Sequence, residues 1–215
     1  SVSKDTVLMG VSFSITAIDS SYARAKMAVN KAYIEIGRIE KLISSWDTNS
    51  QTSKINYVAG KEAVKVDIEL FNLIKRSLKL SKLTNGYFDI SFASIDKVWN
   101  FSQSENHPMP SKEAINKSIE KINFKNIILN KKDTSVFLKM KGMKIGFGAI
   151  GKGYSANKAK LIMQNLDITS GVINAGGDLV AWGHKIDESP WSIGIKNPLN
   201  ERKIFGWIDL TNTSL

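Results

Sequence analysis

The 215-residue sequence contains no cysteine. Disulfide bonds, thiolate metal ligands and cysteine nucleophiles are therefore excluded. Only two histidines occur, His107 and His184, and no H-x-x-x-H spacing supports a zinc site. A G-x-S-x-G elbow is also missing, so a serine hydrolase has no support. The sequence thus lacks the side-chain sets of the common hydrolases.

Long apolar runs are missing as well. No stretch of about 18 apolar residues occurs, so the sequence contains no candidate transmembrane helix. Hydrophobic residues make up 42 % of the chain. That fraction is sufficient for one large domain or two small ones with a real core.

The formal net charge is +10. Such an excess fits a polyanionic ligand, namely a dinucleotide, nucleic acid or an anionic membrane, but it also fits a lysine-rich proteome. We favour the second interpretation, because the basic residues are scattered and almost all are lysine, whereas bidentate readers of phosphate or guanine are usually arginine. Nucleic acid is therefore not expected as a partner.

Hydrophobic periodicity indicates a mixture of strands and helices. Alternation from Val11 to Ile18 predicts a strand, and apolar residues at spacings of three and four predict helices over residues 21–43 and after Asp67. Ser20 is the expected N-cap of the first helix. Strands in runs with helices between them predict an α+β fold, with a central antiparallel sheet and flanking helices.

Further boundaries follow from the same patterns. Residues 44–56 are polar and are expected to form a loop around Trp46. A strand is predicted over residues 144–147 and a helix from about Tyr154 to Asn165. Antiparallel strands are expected around a Gly-Gly-Asp turn at residues 176–178.

The glycine-rich segment of residues 144–154 lies between a predicted strand and a predicted helix. Glycines, a helix N-terminus and Lys152 together make a plausible phosphate site. Gly146, Gly148 and Gly151 match the Rossmann G-x-G-x-x-G pattern, but they follow an apparent hairpin rather than a βαβ unit. The Walker pattern also fails, since Gly153 stands where Ser or Thr would hold Mg²⁺. Glycines used only for tight packing remain an alternative.

Two other segments carry a carboxylate. Asp178 ends a Gly-Gly-Asp turn and could bind a metal or ribose hydroxyls, although such a sequence is more often only a turn. Asp89 follows Tyr87 and Phe88, a combination that suits a flat ring with hydrogen-bonding edges. A helix stop followed by core aromatics is the simpler interpretation of that segment.

Taken in order, these segments resemble the ApbE family, the FAD:protein FMN transferases. Residues 84–89 match its T-x-G-x-F-D block, and residues 148–154 match G-[AGS]-[IV]-[AG]-K-G-Y. Residues 174–178 match N-x-G-G-D. Further matches are the Met-Gly strand at residues 8–10, the serine-rich loop at 44–56, the W-x-F block at 99–101, and Pro190-Trp191 with Ile195 and Pro198.

The resemblance implies an ApbE-like, T-fold-like single domain over residues 1–215 and a reaction. A Thr hydroxyl of an acceptor flavoprotein attacks FAD, so that FMN is transferred and AMP leaves, with Mg²⁺ neutralising charge. The backbone carbonyl of Ala149 is the implied Mg²⁺ ligand. The implied FAD contacts are Met9, Trp46, Tyr87, Phe88, Asp89, Gly146, Lys152 and Asp178.

The sequence departs from the family pattern at three places. Gly146 and Asn157 stand where many members have Asp. The family pattern also continues beyond Leu215 with blocks that supply acidic and Thr metal ligands and a His. We therefore expect the catalytic residues beyond Leu215, a C-terminal part of the fold outside this chain, and weak or no catalysis by the chain alone.

The resemblance also implies a setting. The acceptor would be a flavoprotein subunit of a membrane redox complex of the Nqr or Rnf kind. The full-length protein would be exported to the periplasmic side of the bacterial inner membrane, through a lipid anchor that is not in this chain. Two alternatives stay open: an Mg²⁺-dependent FAD pyrophosphatase, and a flavin-binding protein without turnover.

Overall fold

The computed structural model describes residues 1–95 and 110–215, which form two compact units. The first unit comprises residues 1–40 and 150–215, and the second comprises residues 41–149. Two 3₁₀ turns occupy Ile90–Ser94 and Phe124–Asn126. The helices and strands are β1 Val2–Leu8, β2 Val11–Ile18, α1 Tyr22–Ile43, α2 Gln51–Tyr57, β3 Val64–Lys65, α3 Ile68–Leu83, α4 Lys112–Ile119, β4 Ile127–Asn130, β5 Ser135–Leu138, α5 Gly151–Gln164, β6 Ser170–Ala175, β7 Asp178–Trp182, β8 Trp191–Asn197, β9 Asn200–Leu210 and β10 Thr213–Ser214.

The first unit is built on a five-stranded antiparallel sheet in the order β1-β2-β6-β7-β10. Two of its hairpins have two-residue turns, Met9-Gly10 and Gly176-Gly177, and all four residues have positive φ. Positive φ at both central positions is the geometry that suits the right-handed twist of paired strands. The predicted antiparallel sheet is confirmed.

Helices α1 and α5 cover one face of this sheet. Phe13, Ile15 and Ala17 alternate along β2 and are fully buried in one core cluster. The helices contribute small residues to the same cluster, among them Ala28 and Ala159. Alanine favours the helix and leaves room for the larger side chains of the sheet.

The β8–β9 hairpin covers the other face of the sheet. Trp191, Ile193 and Ile208 pack against Leu179 and Ala181 of β7 in a second, smaller cluster. The first unit therefore has three layers, namely helices, sheet and a two-stranded ribbon. Both faces of the central strands are buried, which is why β7 reads as a nearly continuous apolar run.

The second unit combines helices with a three-stranded antiparallel sheet in the order β3-β5-β4. Helix α3 buries Leu70, Leu73 and Ile74 of the apolar stripe expected from the sequence. The last two residues expected in that stripe are not buried: Leu78 is half-buried and Leu83 is exposed. Val136 and Leu138 of β5 are also buried. Among residues 1–95 and 110–215, no helix is long and apolar enough to cross a membrane.

Two boundary predictions near the start of the chain are wrong. The hydroxyl that accepts from the first turn of α1 belongs to Ser21, which lies 3.3 Å from the Arg24 nitrogen, and not to Ser20. The predicted loop of residues 44–56 contains α2, which is capped by Ser50. Its seven residues are too few for a clear helical period.

Two predictions around the glycine-rich segment are also wrong. Residues 144–147 belong to no strand: side chains bond to the backbone of Lys144 and Ile145, and the Gly146 N–H donates to the carbonyl of Ile90 in a 3₁₀ turn. Helix α5 begins at Gly151 rather than Tyr154. Glycine has a poor helix propensity, so a first turn that contains Gly151 and Gly153 does not look helical in the sequence.

Candidate functional site

An aromatic cleft of about 440 Å³ lies in the second unit. This volume falls within the range of small-molecule sites, roughly 300–1,000 Å³. Its walls come from the segment after α1, from the segment after α3 and from residues 146–149. The cleft thus brings together six of the predicted ligand residues, namely Trp46, Tyr87, Phe88, Asp89, Gly146 and Ala149.

The end of α3 places the aromatic side chains. The Thr84 hydroxyl donates to the Leu80 carbonyl at 2.9 Å and accepts from the Phe88 N–H at 3.0 Å. Asn85 and Gly86 both have positive φ and reverse the chain. The predicted helix stop is confirmed, and it delivers Tyr87 and Phe88 to the cleft.

The rings of Trp46 and Tyr87 are not part of a core. Trp46 is 85 % exposed and Tyr87 is 97 % exposed. The interpretation of this segment as core aromatics is therefore wrong for Tyr87, while Phe88 is half-buried. Ring faces open to water at the mouth of a cleft are suited to stacking against a planar ligand.

Asp89 uses its carboxylate to organise the cleft wall. One oxygen accepts from the backbone N–H and hydroxyl of Ser91, at 2.8 and 2.7 Å, and the other accepts from the Phe124 N–H at 2.8 Å. A carboxylate has about four acceptor positions. Asp89 thus keeps little capacity for a ligand, and its first role is to fix the Ile90–Ser94 turn.

The segment of residues 144–149 is held by side chains. Asn56 bridges the backbone of Ile145, accepting at 2.8 Å and donating at 2.9 Å, while the Ser94 hydroxyl bonds to the backbone of Lys144. An ideal Cβ at Gly146 would lie 3.0 Å from the Ala93 methyl group. An Asp at position 146 would therefore press on Ala93, and Gly146 keeps this wall of the cleft open.

The first unit carries the other predicted residues, Met9, Lys152 and Asp178. The Lys152 ammonium lies in the first turn of α5, 3.6 Å from an Asp178 carboxylate oxygen. Helix α5 has no side-chain cap: its N-cap position is Ile150, and the first intrahelical bond runs from Tyr154 to Ile150. The N–H groups ahead of Tyr154 point out of the helix end, which favours an anion.

The turn before β7 positions Asp178. Asn174 accepts from the Gly177 N–H at 2.9 Å, which fastens the two-glycine turn. Gly153 stands opposite, since an ideal Cβ there would lie 3.9 Å from the Asp178 carboxylate. The prediction of a tight turn that presents a carboxylate is confirmed, and the carboxylate faces a lysine.

Sequence reasoning missed Glu40 and Ser155. The Met9 N–H donates to the Glu40 carboxylate at 2.7 Å, and the Ser155 hydroxyl contacts the Met9 sulfur at 3.7 Å. Ser155 is fully buried. A serine at an otherwise apolar helix position was the available signal for Ser155, whereas Glu40 looks like any charge near the end of a long helix.

A second cleft in the first unit contains none of the predicted ligand residues. It has a volume of about 600 Å³ and includes Asp19, Ser170 and His184 in its walls. The Arg24 guanidinium bonds to Asp19 at 2.8 Å and lowers the pKa of that carboxyl.

The predicted residues Trp99 and His107 lie outside the described residues.

The described residues do not provide a complete set of Mg²⁺ ligands. Within residues 1–95 and 110–215 no group of three or more His, Cys, Asp or Glu side chains is placed to hold a metal. The Ala149 carbonyl would be one oxygen of the six that Mg²⁺ requires. Asp178 is the nearest acidic neighbour of Lys152, but its carboxylate is already ion-paired.

Comparison with known proteins places this geometry in a family. The model of the ApbE family matches residues 9–215. The chain belongs to the ApbE family. It is 28 % identical over 177 residues to a protein named FAD:protein FMN transferase from Klebsiella pneumoniae, covering 82 % of this chain and 54 % of that protein. A second protein of that name, from Buchnera aphidicola, is 29 % identical over 180 residues. The match covers 82 % of this chain and 53 % of that protein.

Solved structures of ApbE proteins share the fold. The ApbE protein of Thermotoga maritima superposes with a TM-score of 0.88 at 29 % identity, covering 99 % of this chain and 68 % of that one. The flavin transferase ApbE of Vibrio cholerae gives a TM-score of 0.85 at 18 % identity, with 99 % and 69 % covered. The chain spans about half the length of the ApbE relatives named FAD:protein FMN transferase.

Proposed function

We propose that the chain forms the FAD-binding part of an FAD:protein FMN transferase. The observation that carries the proposal is the aromatic cleft of about 440 Å³, with Trp46 and Tyr87 exposed at its mouth, in a member of the ApbE family. Relatives over most of this chain bear the name of that activity. A planar ring system that stacks on exposed aromatic faces is the ligand that this cleft fits.

The first turn of α5 is the proposed phosphate site. Its outward-pointing N–H groups and the Lys152 ammonium offer positive charge, and a diphosphate carries the matching negative charge. Asp178 holds the Lys152 side chain within 3.6 Å and prevents it from lying freely in solvent. We assign binding and orientation to these residues. We assign no catalytic residue within the chain.

The proposed reaction is phosphoryl transfer. The oxygen of a Thr hydroxyl on the acceptor flavoprotein forms a bond to the FMN phosphorus, the diphosphate P–O bond breaks, AMP leaves with that oxygen, and the hydroxyl proton passes to solvent. Positioning and electrostatic stabilisation supply most of the catalysis in such reactions. In this chain, positioning falls to the aromatic cleft, and electrostatic stabilisation falls to Lys152 and the start of α5.

Mg²⁺ is proposed as the metal of the reaction, with the Ala149 carbonyl as one ligand. Within residues 1–95 and 110–215 no group of three or more His, Cys, Asp or Glu side chains is placed to hold a metal, so we derive no step through it. Mg²⁺ would supply neutralisation of the developing phosphate charge when it is bound. Removal of divalent metal with EDTA should abolish turnover. FAD should still bind, because the aromatic cleft contacts its ring system without the metal.

The acceptor and the location are also proposals. We propose a flavoprotein subunit of a membrane redox complex of the Nqr or Rnf kind as the acceptor, and an exported, lipid-anchored protein on the periplasmic side of the bacterial inner membrane. The support is the family membership of the chain. Fractionation of cells that produce the full-length protein tests the location, since recovery in the cytosolic fraction would contradict it.

Covalent flavin is the readout that tests the activity. The full-length protein is incubated with FAD, Mg²⁺ and an acceptor flavoprotein, and flavin fluorescence is followed on a denaturing gel while AMP is measured by chromatography. We expect fluorescence on the acceptor and none on a variant in which the target Thr is Val. AMP release without acceptor labelling would favour an FAD pyrophosphatase, and FAD binding without AMP would favour a flavin-binding protein without turnover.

A further inference from the structure

A row of contacts within the first unit links the end of α1 to the start of α5. The Glu40 carboxylate accepts from the backbone N–H of Met9 at 2.7 Å. The Ser155 hydroxyl contacts the Met9 sulfur at 3.7 Å and the Lys152 carbonyl at 2.8 Å. Its single proton can be donated to either of these two acceptors. Glu40 is thus connected, through Met9 and Ser155, to the backbone of Lys152.

Met9 needs such a partner because its backbone conformation is unfavourable. Its φ is +51°, a region that residues with a Cβ rarely adopt. The strand ladder ends at the pair Leu8 and Val11, so the Met9 N–H lies outside the register of paired residues. A charged acceptor at 2.7 Å makes a stronger hydrogen bond than a neutral one. The Glu40 carboxylate therefore offsets the conformational cost of the turn.

The other end of the row lies where the phosphate is proposed to bind. Ser155 is fully buried, so its hydroxyl has little freedom to find other partners. The Lys152 carbonyl that it contacts belongs to the first turn of α5, and that turn has no side-chain cap. The Lys152 ammonium faces Asp178 at 3.6 Å. A shift of the Met9 side chain would remove one of the two contacts of the Ser155 hydroxyl, the other being its bond to this turn.

We propose that Glu40 is a positioning residue of the phosphate-binding end of α5. It fixes the Met9 turn, and through Met9 and Ser155 it keeps the first-turn N–H groups and Lys152 in place for a diphosphate. The inference rests on the proposed function, because the diphosphate is that of FAD.

The test measures FAD affinity of Glu40→Ala and Glu40→Gln by titration calorimetry. We expect about tenfold weaker binding for Glu40→Ala and about threefold for Glu40→Gln, whose amide oxygen still accepts a hydrogen bond. The matched control is Glu35→Gln on the same helix, whose carboxylate bonds to Arg38, and it should bind FAD as the unsubstituted chain does. The hydrogen bond to Glu40 should shift the NMR signal of the Met9 amide proton downfield. We expect this shift to be lost in Glu40→Ala and kept in Glu40→Gln and Glu35→Gln.

A double-substitution cycle separates positioning from general support of the fold. Met9→Gly removes the side chain and relieves the positive φ. In that background Glu40→Ala should weaken FAD binding by less than about twofold, because the Met9 side chain that links residue 9 to Ser155 is gone. The inference would be overturned if the losses of FAD affinity caused by Met9→Gly and by Glu40→Ala multiplied in the double variant. Unchanged FAD affinity of Glu40→Ala alone would also overturn it. If the unsubstituted, folded chain does not bind FAD, the proposed function fails and this inference fails with it.

Discussion

Lys152 and Asp178 form an ion pair whose desolvation costs little free energy. Their side chains are 27 % and 43 % exposed, so both keep part of their hydration while standing 3.6 Å apart. Pairs of this kind contribute roughly 0–1 kcal/mol to stability. We therefore assign the pair a role in orientation, since Asp178 restricts where the ammonium can lie.

The first prediction concerns Lys152. Lys152→Met should weaken FAD binding about tenfold or more, because a charge-assisted contact to phosphate is lost. The thermal midpoint should change little. Lys160→Met, which removes the same charge two turns further along α5, is the control. Equal effects of the two substitutions on FAD affinity would mean that net charge and not position attracts the ligand.

Tyr33 gives a prediction about pH. Burial first, and then the negative charge of Asp5, raises the pKa of its hydroxyl to about 12. The hydroxyl faces the backbone carbonyls of Lys4 and Phe13, which cannot donate to a phenolate. Folding therefore favours the neutral form of Tyr33. This contribution to stability is fully present below pH 10, the approximate pKa of tyrosine in the unfolded chain, and it is lost as the pH rises towards 12.

Denaturant unfolding at a series of pH values measures this effect. The free energy of unfolding should decline between pH 10 and 12 more steeply in the unsubstituted chain than in Tyr33→Phe. A decline of the same slope in both would show that Tyr33 does not titrate abnormally.

At the scale of elements, residues 144–149 depend on a side chain far away in the sequence. Asn56 satisfies both the N–H and the carbonyl of Ile145. Asn56→Ala should destabilise the second unit by about 1–3 kcal/mol and weaken FAD binding, because it leaves these groups unpaired and frees one wall of the cleft. Asn72→Ala on the exposed side of α3 is the control for both measurements. Unchanged FAD affinity would show that the cleft does not need this wall.

Strand β6 carries a second sensitive position. An ideal Cβ at Gly171 would lie 2.6 Å from the Trp182 ring and 2.7 Å from the Thr16 carbonyl oxygen. Trp182 is fully buried, and its indole N–H donates to Ile168, so the ring cannot move freely. Gly171→Ala should lower the thermal midpoint by several degrees, at a cost of about 1–3 kcal/mol. Gly206→Ala in β9, where the space is open, should not.

The elements that the sequence predicted correctly are those with a strong internal period. Helix α1 and strand β2 bury the stripe of residues that their spacing indicates, and helix α3 buries the first part of its stripe. Residues 144–147 were wrongly predicted to form a strand. An extended segment whose backbone is bonded by the side chains of Asn56 and Ser94 has the same sequence pattern as a strand. The Met9-Gly10 pair, which the family resemblance placed in a strand, forms a turn instead. Methionine is unusual at positive φ, so the sequence carries no strong signal for this turn.

The candidate site was predictable to a similar extent. Motifs in the sequence named Trp46, Tyr87 and Lys152, and the structure places the first two at one cleft and the third at a helix start. Their roles as ligand contacts remain predictions. Glu40 and Ser155 emerged only from three-dimensional contacts, because neither belongs to a local motif. Asp89 belongs to a motif, but its bonds to Ser91 and Phe124 also became visible only in the structure.

At the scale of the whole molecule, the two units each hold part of the predicted ligand set. The second unit carries the aromatic cleft, and the first carries Met9, Lys152 and Asp178. Whether residues 1–215 act as a single domain remains a prediction. The net charge of +10 adds a long-range attraction for any polyanion. FAD binding should therefore weaken with salt, but DNA should not replace FAD.

We expect this chain to bind FAD through its aromatic cleft. The most direct measurement is titration of FAD into the 215-residue chain with and without Mg²⁺, following flavin fluorescence together with the tryptophan emission. We expect saturable binding that quenches the flavin and that weakens about tenfold in Trp46→Ala and in Tyr87→Ala, as loss of ring stacking requires. Absence of FAD binding by the folded chain, or full affinity in both variants, would contradict the account.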